Sequence, residues 1–119
     1  MVGAEAAAVW QWLARRPFVT VAPRGLFTHD LACDVRDDYR ELIDNKDIDA
    51  VLISTPDHTH AMIGVAAARA KKHIYMQKPA SLTISEGRLV SDVVQKSGIK
   101  FQIGSQQRSS AQFRYAAEL

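Results

Sequence analysis

The chain predicts an α/β domain built on a parallel sheet, and three observations carry that expectation. The segment "AVLIST" (Ala50–Thr55) is a continuous apolar run ending in small polar residues, as suits a strand covered on both faces. The segments "HIYM" and "KFQIG" follow it at intervals filled by helical patterns. From Ala50 to Gly104 the order is therefore β-α-β-α-β. Strands joined by crossovers of that length lie parallel, and the crossovers are right-handed.

Each element has its own local reason. Residues Ala4 to Arg16 read as a helix, with Ala6, Val9, Trp10 and Leu13 on one face and Pro17 as its stop. "FVTV" (Phe18–Val21) is a candidate short strand, and "APRGLFTHDLACD" reads as loop because it has no clear period. "DDYRELIDN" places Tyr39, Leu42 and Ile43 at helical spacing. "HTHAMIGVAAARA" is a helix of small residues, able to approach a sheet closely. In "TISEGRLVSDVVQKSG", Thr83 and Glu86 form a capping box, Leu89, Val90, Val93 and Val94 form the expected buried stripe, and Gly98 ends the helix. Phe101 and Ile103 share one side of the next strand, and "SAQFRYAAEL" begins a last helix.

Composition narrows the functional classes. The 119 residues suffice for one domain, and 47% hydrophobic with 24% charged residues is an ordinary globular composition. A formal charge of +2 argues for neither nucleic acid nor a membrane surface as partner. No apolar run is long enough to span a bilayer. A single cysteine, Cys33, excludes an internal disulfide framework, and the N-terminus has the reverse of a secretory charge pattern. A cytoplasmic protein is expected.

In open parallel sheets, ligands sit outside the carboxyl ends of the strands. Three such ends are polar here: Ser54-Thr55-Pro56, Gln77-Lys78-Pro79 and Gly104-Ser105-Gln106. They are expected side by side on one rim. Pro79 biases Lys78 toward extended backbone, which limits where its amine can point. A solvated strand-end lysine is the plainer alternative. His58 and His60 lack a third ligand at useful spacing, so no metal site is expected. His60 is expected either to pack near a cofactor or to cap the helix that starts there.

These residues carry a family resemblance. "DYRELIDNKDIDAVLISTPDHTHA", "KHIYMQKPASLTISEGRLV" and "FQIGSQQRS" together resemble the Gfo/Idh/MocA oxidoreductases, over roughly Asp38 to Leu119. Thr-Pro-x-x-x-His, a Lys-Pro after a strand, and Gly-Ser-Gln-Gln-Arg occur in order and at the family's spacing. The resemblance implies a partial Rossmann-like, doubly wound parallel sheet of three to four strands. It implies a chain that is one incomplete nucleotide-binding domain, truncated at both ends, with residues 1–37 matching poorly. It also implies NAD or NADP as cofactor and hydride transfer from a sugar-like or cyclitol alcohol.

Residue by residue, the resemblance makes Lys78 catalytic, hydrogen-bonding the substrate oxygen and helping to remove its proton. It places Ser54, Thr55, Pro56, His60, Gln77 and Pro79 along the cofactor, with Gln106 and Arg108 on the substrate side. Gln77 stands where the family motif has glutamate. Its amide hydrogen-bonds but cannot stabilise an ammonium as a carboxylate would. No G-x-G-x-x-G phosphate grip occurs anywhere in the chain. The competing reading is a non-catalytic nucleotide-binding or interaction remnant that needs a partner chain. Self-association is a further expectation: β-strand Ala50–Ser54 would be a bare apolar edge unless Phe18–Val21 pairs with it.

Overall fold

The computed structural model describes Phe18–Val21, residues 38–105, Gln107 and residues 110–119. The elements run β1 (Phe18–Val21), α1 (Tyr39–Asp44), β2 (Ala50–Ile53), α2 (Asp57–Arg69), β3 (His73–Gln77), α3 (Ile84–Ser97), β4 (Phe101–Gly104) and α4 (Ala111–Glu118). The expected helix over Ala4 to Arg16 and the expected loop after Val21 lie outside the described residues.

The four strands form one sheet in the order β1-β2-β3-β4, and every pairing is parallel. Phe18–Val21 is thus a strand, and it pairs along the full length of β2, from Phe18 with Ala50 to Val21 with Ile53. The apolar edge feared for β2 is covered by backbone hydrogen bonding, which leaves β1 and β4 as the outer strands of the described sheet.

Alternation divides the sheet into two faces. Val51, Ile53, Ile74 and Met76 point to one face, are 0–2% exposed, and pack with Ile43, Ile63, Ala67 and Ala68. Helices α1, α2 and α3 all contribute to this cluster. Leu52, Tyr75 and Gln102, in register with one another, lie on the other face and are half-buried. A second cluster of Ala61, Val65 and Val90 joins α2 to α3.

Helix ends follow the sequence closely. Asp38 caps α1 by accepting from the Arg40 backbone N–H at 2.9 Å. In α3 the Glu86 N–H donates to the Thr83 hydroxyl at 3.3 Å, and the Glu86 carboxylate accepts from the Thr83 N–H at 3.0 Å. Gly98 closes α3 in the left-handed region at φ +68°, where a side chain would be strained. One expectation needs correction. Leu89 is 48% exposed, while Val90 is buried and Val93 and Val94 are partly so. Successive helix positions turn by roughly 100°, so with Val90 facing α2, Leu89 falls on the flank of the stripe.

At the amino end of the sheet, Lys72 is 7% exposed and its ammonium donates to the carbonyls of Asn45 (2.6 Å) and Ile48 (2.7 Å). It ties the segment leading into β2 to the turn leading into β3. The site expected at the opposite end therefore rests on strands β2 and β3 whose amino ends are tied together.

Candidate functional site

The strands end level with one another. Val21 pairs with Ile53, Ile53 with Met76, Met76 with Ile103, and Gln77 with Gly104. Because all strands are parallel, the residues that follow, Ser54-Thr55-Pro56 and Lys78-Pro79, emerge on one rim beside Gly104 and Ser105. The rim expected from sequence is present. Gln106 and Arg108 lie outside the described residues.

The residues of the rim differ in exposure. Ser54, Thr55 and Gln77 are half-buried, Pro56, Lys78 and Pro79 are exposed, and His60 is buried at 1%. Lys78 leaves the end of β3 toward solvent, and the Lys78–Pro79 peptide bond is cis. An exposed amine at the C-terminal end of a central strand is free to meet a ligand laid across the rim.

Thr55 is set by helix α2. Oγ1 of Thr59 lies 2.7 Å from Oγ1 of Thr55 and 2.7 Å from the Pro56 carbonyl oxygen. One hydroxyl hydrogen cannot serve both acceptors. The Thr59 hydroxyl therefore donates to one of them at a time, and in the pair with Thr55 it is the donor. Thr55, the acceptor in that pair, keeps its own hydroxyl hydrogen for another acceptor.

His60 does not face the open rim. Its Nε2 is 2.8 Å from the Thr55 carbonyl oxygen, and its Nδ1 is 2.6 Å from the Pro79 carbonyl oxygen. The ring thus lies beneath the two loops that bear Thr55 and Lys78, and it meets their main chains. Of the two readings for this residue, helix capping is not what its ring does, since both contacts are to carbonyls. His58 is exposed and His60 is buried, so the two rings do not share an environment.

Gly104 shows how tightly the rim is filled. A Cβ there would fall 2.8 Å from the Tyr75 hydroxyl and 3.0 Å from Gln77 Oε1. The missing side chain of Gly104 leaves room for these two polar groups at the end of β3. Tyr75 was not singled out from sequence, although its two-residue spacing from Gln77 puts both on one face. Thr59, four residues after Thr55, was likewise legible only in hindsight of the helix start at Asp57.

A groove of about 530 Å³ runs between α3 and β4, lined by residues including Val90, Val94, Phe101 and Ile103. It is walled chiefly by hydrocarbon and touches none of the candidate residues. The convergence of polar groups, not this groove, marks the site.

Comparison with known proteins agrees with the geometry. The model of an oxidoreductase family with an NAD-binding Rossmann fold matches residues 19–105. The chain is 38% identical over 80 residues to the uncharacterised oxidoreductase YrbE of Bacillus subtilis, covering 67% of this chain and 24% of that protein. It is 36% identical over 72 residues to inositol 2-dehydrogenase of Salmonella typhimurium, covering 60% and 21%. Among solved structures it resembles levoglucosan dehydrogenase in complex with NADH and L-sorbose, with TM-score 0.55 and 42% identity over 56% of this chain and 18% of that one. The chain spans about a quarter of the length of these curated relatives. The family match begins within β1, well before Asp38, where the motifs become recognisable.

Proposed function

Because the chain belongs to the oxidoreductase family with the NAD-binding Rossmann fold, we propose that it forms the nicotinamide-facing part of an NAD(P)-dependent dehydrogenase acting on a sugar-like or cyclitol alcohol. The single observation that carries this reading is the shared rim, where Thr55-Pro56, Lys78-Pro79 and Gly104 follow neighbouring parallel strands at one level. The relatives named above point the same way in substrate class.

The rim suits such a cofactor in its polar groups: a threonine hydroxyl, a carboxamide, and an exposed amine, on a floor closed by His60. Bound there, the nicotinamide would supply the hydride acceptor. Thr55, Pro56, Ser54 and Gln77 would orient it. Lys78, as the neutral amine, would accept a hydrogen bond from the hydroxyl of the substrate and take its proton, becoming the ammonium, as the carbon gives up hydride. Gln77 can orient Lys78 or the ligand by hydrogen bonds but adds no charge beside the amine. Gln106 and Arg108 would lie toward the substrate.

Titration of the chain with NADH and with NADPH by calorimetry tests the reading. Binding of either supports it, and no heat at millimolar cofactor overturns it. The two titrations also decide between the dinucleotides. Because β1 covers the β2 edge, the condition set for self-association through that edge is not met. A cytoplasmic setting, where nicotinamide cofactors are pooled, is part of the proposal.

A second reading draws on α4. This helix has no buried residue, and Phe113 and Tyr115 are 59% and 65% exposed. A non-catalytic module that docks a partner chain through α4 would bind neither dinucleotide in the same titrations.

A further inference from the structure

His60 is the most enclosed polar side chain of the described residues, yet it contacts no side chain in a catalytic pattern. Its two nitrogens meet carbonyl oxygens from two different loops, at 2.6 and 2.8 Å. Carbonyl oxygens only accept hydrogen bonds. A neutral imidazole carries one N–H, so it would press a lone pair against the second oxygen in a site closed to water. With both nitrogens protonated, each contact becomes a charge-assisted hydrogen bond, for which such short distances are usual. The position in the first turn of α2 disfavours a cation, and the acidic Asp57 in that same turn works against this penalty.

We infer that His60 is a two-ended donor that clamps the Thr55-Pro56 loop to the Lys78-Pro79 loop, and so sets the distance between the residues that orient the cofactor and the residue that handles the proton. It is a positioning residue, acting through main-chain carbonyls, and it touches no ligand. The geometry explains why this residue is histidine. Leucine or phenylalanine would fill the space but leave two buried carbonyls unpaired. Glutamine or asparagine reaches with one amide nitrogen, which cannot span two acceptors on opposite sides of a ring. The inference rests on the preceding reading only in calling the rim cofactor-facing; the clamp itself is a statement about this chain alone.

The decisive experiment is nitrogen NMR on the chain labelled at histidine with ¹⁵N. His60 is expected to show both ring nitrogens proton-bearing, with ring protons protected from exchange by burial. A resonance typical of an unprotonated ring nitrogen on His60 overturns the clamp, whatever the chain binds. The second arm uses His60→Gln. If the unaltered chain binds NADH, this variant is expected to bind at least tenfold more weakly while keeping a cooperative melt. Unchanged affinity in a folded variant overturns the positioning role. Absence of NADH binding by the unaltered chain sinks the dehydrogenase reading and leaves the clamp to be decided by the nitrogen spectrum. The two failures are therefore distinguishable.

Discussion

Helix α2 approaches β3 so closely at Gly64 that a Cβ added there would fall 2.5 Å from Met76 Cε. Two opposing quantities decide what Gly64→Ala does. Replacing an interior helix glycine by alanine is worth about 1 kcal/mol in helix propensity. Against this, Met76 Cε must retreat by about 1 Å to reach ordinary carbon–carbon separation. Met76 Cε is the end of a flexible side chain, but Met76 is 0% exposed and packs with Ile53, Ile74 and Ile63, so the methyl has to move within a packed core. Overpacking of this kind costs about 1–3 kcal/mol. The expected net result is a destabilisation of up to about 2 kcal/mol. Met76→Leu alone is a near volume-conserving exchange, costing under about 1.5 kcal/mol. It removes the clashing atom, so in the double variant the helix gain should emerge. A double-mutant cycle by urea denaturation should give a favourable coupling of about 1 kcal/mol or more between the two sites. Additivity within about 0.5 kcal/mol, or a Gly64→Ala variant stabilised by the full propensity gain, would refute the claim that the Met76 methyl dictates glycine here.

Further outcomes follow from the same structure. In the dehydrogenase completed with its substrate-binding part, Lys78→Ala is expected to lower turnover by roughly 10²–10⁴-fold, with cofactor affinity within about twofold; steady-state kinetics and calorimetry separate the two. Gly98→Ala meets no atom within 4 Å, so its cost is conformational alone, about 1 kcal/mol net once the reduced freedom of the unfolded chain is counted, read as a lowered urea midpoint. The Arg40 backbone N–H, and then the Arg40 guanidinium, hold the Asp38 carboxyl below its usual range. The stability this adds to α1 is complete above the ordinary carboxylate value of about 4 and is lost as pH falls through the depressed one. Acidification should therefore lower the protection factors of the amides at the start of α1, once the intrinsic slowing of exchange in acid is divided out, and Asp38→Asn should flatten that dependence; an unchanged profile in the variant would exclude Asp38 as its source.

Much of the fold was legible because its signals are local. The Thr83–Glu86 box, Gly98 after the last helical turn, and the apolar run Ala50–Ile53 each act within a few residues, and each element formed where those signals put it. Leu89 shows where local reading fails, because a helical stripe has a width that only the neighbouring helix trims. Phe18–Val21 shows another limit: four β-prone residues make a candidate strand, but only pairing with β2, some thirty residues further along the chain, makes a strand of them. At the site, the positions of Thr55, Lys78 and Gly104 followed from strand order alone. The Thr59 contact, the Tyr75 hydroxyl beside Gly104 and the two carbonyls on His60 did not, since each joins residues whose distance depends on how loops close over the sheet.

What the amino-acid sequence determined by itself was the kind and order of elements, and with them the rim on which the polar residues appear. Periodicity and caps are written in neighbouring residues, and parallel connectivity then sends every strand end to the same edge. Only the tertiary structure decided which of those residues meets solvent and which holds the scaffold. His60 and Lys78 belong to motifs of similar prominence, yet one is buried between two carbonyls and the other is exposed. That difference is a matter of packing, where burial and hydrogen-bond partners come from segments distant in the chain.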